Sequence, residues 1–332
     1  MRGVAGTSGA RSPWLTSAAW RGLFSDRPMI PLLALLAVLV VASEIVRPGI
    51  VGPEWIGIML RAAVPLAILA GCQTLTMLTG GIDLSVGAVA SMAGFVVASL
   101  AAGSGVPTGI VIALVAAALA GLATGIGVGV FRVHPLIMTL GMSLVVLGLV
   151  NFWQLQTITT STGIPPELRT VGSSTLAQIL PYSLLVFLPL AAIILLGLRR
   201  TGYGRLLYAI GDNPVAARLS GARSWQILIV LYVVSALLAA AAGFLISGLT
   251  NTASVSLADS YVLPSVAAAV IGGTSIMGGR GGFAGTIIGA LILTVLSSLL
   301  TSLGYPEAVR EILFGSIIVA VAAAYTRVTT ES

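Results

Sequence analysis

An all-α polytopic membrane protein of about ten transmembrane helices is the fold class this sequence predicts, and three observations predict it. Hydrophobic residues fill 57% of the 332 positions and charged residues only 8%, where a soluble domain carries about 25% charge. Apolar runs long enough to cross a bilayer recur along the whole chain; about 20 residues rising 1.5 Å each span about 30 Å of hydrocarbon. The 40 glycines suit helices in lipid, where small residues let backbones approach closely.

Taken in order, residues 1–28 are polar, with Arg2, Arg11, Arg21 and Arg27. They read as a cytoplasmic tail rather than a cleavable signal peptide, because no small-x-small site clearly follows the apolar run. Trp14 and Trp20 suit a membrane interface. The spans read as 29–46, 56–79, 84–102, 108–130, 135–152, 183–198, 225–247, 263–277, 283–303 and 308–325, inside one transmembrane domain over 29–325. Residues 326–332 follow as a cytoplasmic tail. Two long loops stand out: 153–182, polar, external and suited to a short interfacial helix near 176–180, and 199–224, cytoplasmic. A third, 249–262, is external and carries Asp259.

Orientation follows from arginine, since cytoplasmic loops hold an excess of positive charge. All 16 basic residues are Arg. With the N-terminus inside, the tail, Arg132, Arg199, Arg200, Arg205, Arg218, Arg223, Arg280 and Arg327 fall on the cytoplasmic side. Arg47 and Arg169 fall outside, and Arg61 and Arg310 lie in outer span ends. Both termini are then cytoplasmic. The net charge of +6 reports orientation, not nucleic-acid binding.

Composition also excludes chemistry. A P-loop needs a lysine on the nucleotide phosphates, and this chain has none. One Cys72 and one His134 exclude a disulfide within the chain and a multi-histidine or cysteine metal site. No paired catalytic groups converge, which argues against an enzyme.

Three stretches interrupt the apolar pattern. The first is Thr79-Gly80-Gly81-Ile82-Asp83-Leu84-Ser85. Glycine weakens a helix by about 1 kcal/mol, and an ionised Asp at bilayer depth costs at least about 2.5–3.5 kcal/mol. Two readings are open: a turn in which Asp83 caps the next helix, or a discontinuous helix whose polar break faces a translocation route. Gly80, Gly81, Asp83 and Ser85 are the candidate residues.

The second stretch is the loop 199–224. Gly211-Asp212-Asn213-Pro214 is turn chemistry, and Asp212 or Asn213 is placed to cap a helix starting at Pro214 or Val215. That helix ends near Leu219 or Ser220, with Gly221 as its stop. It lies across the cytoplasmic face, and two readings are open: a surface loop with positive-inside arginines, or a docking helix for a cytosolic partner with Asp212, Asn213, Val215, Ala216, Ala217, Arg218 and Gly221 as its candidate residues. The third stretch, Gly272 to Gly282, is a packing turn or a kinked gate, with Gly272, Gly273, Thr274 and Ser275 as its candidate residues.

These three motifs, in this order, resemble the permease subunit of bacterial ABC importers for monosaccharides, the ribose/xylose/arabinose branch. The similarity covers residues 53–324. The wider superfamily carries Glu-Ala-Ala, three residues, then Gly in its coupling loop; here Val215-Ala216-Ala217 and Gly221 keep the spacing without the Glu, as is usual in this branch. The resemblance implies an inner-membrane subunit that binds no cofactor itself. Separate ABC ATPase subunits use ATP and Mg, a second permease chain (identical or a close paralogue) completes the pathway, and a periplasmic sugar-binding protein delivers the solute. Specificity would then rest mainly in the binding protein, so few polar residues are expected in the spans: Gln73, Thr74, Thr76, Asp83, Ser85, Ser91, Thr139, Ser143 and Asn151. A related permease for a nucleoside or signal molecule, and an ion-driven secondary carrier or channel, are the alternatives.

Overall fold

The computed structural model describes residues 29–156 and 163–330, with side chains described through residue 320. The expected N-terminal tail and the Thr/Ser run at 157–162 lie outside the described residues. The described chain is almost entirely helical. Its helices are α1 (Met29–Val46), α2 (Pro53–Met77), α3 (Val86–Ser104), α4 (Val106–Gly129), α5 (Pro135–Gln156), α6 (Pro166–Ser173), α7 (Ser183–Arg200), α8 (Gly202–Asp212), α9 (Pro214–Leu219), α10 (Ser224–Thr250), α11 (Val262–Ile271), α12 (Phe283–Ser302) and α13 (Glu307–Thr330). Eight of them, α1 to α5, α7, α10 and α12, are long and apolar enough to cross a membrane. The chain is an all-α polytopic membrane protein.

The core gathers on α2. Every residue from Ala63 to Met77 is buried, although the stretch holds Gln73, Thr74 and Thr76 among apolar side chains. Helix α10 packs on α2, α3 and α4, while α12 packs on α1, α2 and α11. Small residues set the spacing: a side chain at Gly243 would meet the Ala90 backbone, and one at Gly125 the Ile229 backbone. Helices α3 and α10 run parallel, with Ala90 beside Gly243 and Gly94 beside Ser247. Helix α1 buries only Ser43, so its apolar surface faces outward, as lipid contact requires.

Arginines 132, 199, 200, 205, 218 and 223 gather at the end of the bundle formed by the α4–α5 turn, the end of α7, α8, α9 and the start of α10. We call this the arginine-rich end. At the opposite end, Pro166 starts α6 from a position where a missing N–H is harmless. The segment expected to be helical near 176–180 is instead a tight hairpin, with Thr175 paired to Pro181 and Leu176 to Leu180. Ala177 and Gln178 adopt positive φ, which turns the chain back and breaks any helix.

The main departure from expectation lies at 249–277. Residues 251–261 do not stay outside the helical layer. The chain turns at Asn251, in the left-handed region with φ 55°, and descends until Ala258 is fully buried. There the Ala258 amide donates to Ser91 Oγ at 2.9 Å. A 3-10 turn at Asp259–Tyr261 follows, and then α11. With 10 residues, α11 covers about 15 Å, half of a span. Gly272 and Gly273 end it, the latter with φ +89°.

Candidate functional site

The break at Thr79–Ser85 lies inside the helical layer. Asp83 Oδ2 accepts a hydrogen bond from Ser235 Oγ at 2.8 Å. Ser235 sits eleven residues into α10, about 16 Å along its axis. Asp83 Oδ1 accepts from the Ser85 amide at 3.0 Å and from Ser85 Oγ at 2.5 Å. The carboxylate therefore holds the residue that precedes α3 and ties it sideways to α10, rather than reaching into the helix's first turn. Asp83 is only 2% exposed.

The peptide groups flanking Asp83 are held as well. Gln73 bridges the break with both ends of its side-chain amide: Nε2 donates to the Asp83 carbonyl at 2.8 Å, and Oε1 accepts from the Asp83 amide at 3.2 Å. Thr139 of α5 does the same one step on each side. Its Oγ1 accepts from the Leu84 amide at 3.1 Å and donates to the Ile82 carbonyl at 3.2 Å. Buried backbone groups left open would each forfeit about 1–3 kcal/mol, so these two side chains are what allow a non-helical segment at this depth. Of the spans' few polar residues, Gln73, Thr74, Thr76, Ser85, Ser91 and Thr139 are all buried. Ser143 is half-buried, and Asn151 is exposed with its amide returned to the Leu147 carbonyl.

The three glycine-bearing stretches meet. Gly80 adopts φ +79° beside the Met277 carbonyl, and Gly278 adopts φ +94° beside Gly211 and the Gly80 amide. The Gly279 amide donates to the Leu78 carbonyl at 3.0 Å. Gly211, in the last turn of α8, presses on both: a side chain there would overlap the Leu78 carbonyl and the Gly279 amide. Tyr208, one turn earlier, donates its hydroxyl to the Gly281 carbonyl at 3.0 Å. Burial pushes the Tyr208 phenol above its ordinary value, against the opposing effect of Arg199. Burial does the same for Tyr203, whose hydroxyl donates to the Ile227 carbonyl at 3.1 Å. Both phenols thus stay protonated donors near neutrality.

Gly272 also approaches backbone closely, against Gly285 and Thr286 of α12. Beside it, Thr286 Oγ1 and Thr74 Oγ1 share a hydrogen bond at 2.7 Å. Thr274 and Ser275 are buried. Ser275 Oγ accepts from the Met277 amide at 3.2 Å, and Thr274 Oγ1 has no partner among the described residues.

Beyond α8, Asn213 caps α9 as its sequence position predicts. Its Oδ1 accepts from the Val215 amide at 3.1 Å and the Ala216 amide at 2.9 Å. Gly221, with φ +90°, closes the helix. Ala217 is buried, but Val215 is 55% and Leu219 85% exposed. These apolar side chains project from the arginine-rich end. Beside them a cavity of ≈ 590 Å³ is lined by Arg132, Arg218, Arg223 and Trp225. At the other end of the bundle, Arg61 donates to the Ser173 carbonyl and Glu44 accepts from the Gly49 and Val51 amides at 2.7 and 3.0 Å. Both hold turns, roles that span counting does not reveal.

Sequence reasoning missed one feature of α12. Thr294, Ser297, Ser298 and Thr301 recur at i, i+3, i+4 and i+7 and line a second cavity. The signal is helical periodicity of hydroxyls within an apolar run.

A family model described as "Branched-chain amino acid transport system / permease component" matches residues 55–322. The fructose import permease of Rhizobium meliloti is 31% identical over 308 residues, 90% of this chain and 84% of that protein. The ribose import permease of Bacillus subtilis is 34% identical over 290 residues, 87% of this chain and 89% of that protein. The galactofuranose transporter permease of Escherichia coli is 33% identical over 303 residues, 88% of each. No solved structure matches.

Proposed function

Since the chain belongs to the bacterial import permease family whose model it matches over residues 55–322, we propose that it is the membrane subunit of an ABC importer that carries a monosaccharide inward. Relatives named for ribose, fructose and galactofuranose align over most of its length and support a sugar as the solute. Separate ATPase subunits drive it, a binding protein feeds it, and a second permease chain completes the pathway. The arginine-rich end faces the cytoplasm, in keeping with positive-inside charge.

The observation that carries this reading is the seat of Gly211. Helix α9 offers Val215 and Leu219 to a partner. Helix α8 joins α9 directly, and its Gly211 rests on the backbone of both membrane breaks. Movement of the ATPase pair pushes α9. Backbone contact leaves no compliant side chain to absorb the push, so Leu78–Gly80 and Gly278–Gly281 move with α8. In this account Asp83 and Ser85 anchor the break to α10. Gly80, Gly81, Gly272 and Gly273 act as its flexing points beside Thr274 and Ser275.

The test is uptake of labelled D-ribose and D-fructose into proteoliposomes holding the complete complex. Uptake of one sugar that requires ATP, the ATPase and the binding protein is the expected result. Uptake by the permease alone, without ATP, overturns the reading and favours a secondary carrier. Leu219→Asp should abolish ATP-driven uptake while the subunit still inserts; full uptake removes α9 as the docking element. The family description names branched-chain amino acids, so L-leucine uptake in the same assay decides against a sugar.

A further inference from the structure

The second cavity, ≈ 550 Å³, lies among the α1–α2 turn, α2, α12, α13 and the start of α11, opposite the arginine-rich end. Its base is Tyr261 and Pro264, where the descending segment hands over to half-length α11. The re-entry of 251–261 is what lets the cavity reach into the helical layer, since a full-length helix there would fill the space.

One wall is the hydroxyl face of α12. Thr294 Oγ1 donates to the Ala290 carbonyl at 2.8 Å, and Thr301 Oγ1 to the Ser297 carbonyl at 2.8 Å. A hydroxyl that donates backward keeps acceptor lone pairs for a ligand. Ser297 and Ser298 lie between them on the same face. The facing walls bring the Trp55 indole and the guanidinium groups of Arg47 and Arg310, residues that also line the cavity. Trp55 is 8% exposed.

Charge around the cavity balances: Arg47 and Arg310 stand against Glu307 and Glu311, with Arg310 and Glu307 3.6 Å apart. Acceptors on one wall, donors and an indole on the other, and no net charge fit a neutral polyhydroxylated solute. The volume falls in the range of about 300–1,000 Å³ typical of small-molecule sites. We propose that this cavity is the outer vestibule of the solute path, a transient site for a monosaccharide held by Ser297, Ser298, Trp55 and Arg310. The assignment rests on the import reading above for the identity of the solute.

The experiment is uptake of D-ribose and D-fructose by the complete complex carrying Ser297→Ala and Ser298→Ala together. Loss of two hydrogen bonds should raise the sugar concentration for half-maximal uptake about tenfold. Thr252→Ala, at the same end but outside the cavity, should leave it unaltered, and Ser298→Thr alone should retain uptake because the hydroxyl remains. A double variant that is present in the membrane and transports like the parent overturns the vestibule while leaving the importer intact. A parent complex that moves L-leucine and neither sugar overturns the sugar reading and the sugar site with it.

Discussion

Two polar regions lie within the apolar body of this protein, and they are built in opposite ways. Around Asp83, the carboxylate and the neighbouring peptide groups are held by named side chains. The carboxylate has Ser85 and Ser235, the Asp83 peptide has Gln73, and Thr139 serves its two neighbours. Around α12, hydroxyls line open volume, with the Trp55 indole and the guanidinium groups of Arg47 and Arg310 across it. Polarity that is saturated by the protein is structural, because it lets the backbone leave helical geometry inside a membrane. Polarity that lines open volume is available to a ligand. The residue that looks most functional by its chemistry, an intramembrane aspartate, belongs to the first kind.

Substitutions sharpen that contrast. The largest effect is expected at the junction where α8 meets both breaks. Gly211→Leu places a side chain against the Leu78 carbonyl and the Gly279 amide, neither of which has a rotamer to change. Uptake should fall by at least tenfold in membranes containing normal amounts of subunit. Near-normal uptake there would break the claim that backbone contact carries the coupling. Next is Asp83→Ala, which strips the acceptor from Ser85 and Ser235. It should lower stability by about 2–3 kcal/mol, read as a fall in Tm of the detergent-purified subunit. An unchanged Tm would move Asp83 out of the structural class. The vestibule predicts the reverse balance: Ser298→Ala should hold Tm within the scatter of surface changes, about 0.5 kcal/mol, because the hydroxyl serves a solute and not the fold. The smallest effect is Tyr208→Phe. It deletes one hydrogen bond to the Gly281 carbonyl, a net loss of about 1 kcal/mol, and uptake should drop several-fold with α8 still in place.

The contrast also explains what could be read from sequence. Helix positions were legible because apolar runs of about 20 residues have few uses outside a bilayer. The α9 turn was legible because Asn213-Pro214 and Gly221 are local chemistry, and the Asn213 cap at 2.9 and 3.1 Å follows it closely. The Gly80–Ser85 break was legible as a break. Its partners were not, since Gln73, Thr139 and Ser235 come from three different helices and nothing local announces them. The descent of 251–261 was missed for the same reason: its one deep anchor, Ser91 Oγ to the Ala258 amide, joins residues far apart in sequence. The hydroxyl face of α12 was legible and overlooked. Serine and threonine barely lower the hydropathy of a span, so only their i, i+3, i+4, i+7 spacing reveals them.

One comparison tests the central claim directly, because the chain has a single native cysteine and that cysteine sits in the saturated region. Cys72 is fully buried, with its thiol 3.3 Å from the carbonyl of Ser235, the residue that holds Asp83. Intact cells producing either the parent chain or Ser298→Cys would be treated with a charged, membrane-impermeant methanethiosulfonate. The account predicts modification of Ser298→Cys from the outer face and none of the parent until it is unfolded. Modification of Cys72 in the folded parent, or an unreactive Ser298→Cys, would contradict the division into a dry, saturated junction and an open, solute-facing vestibule.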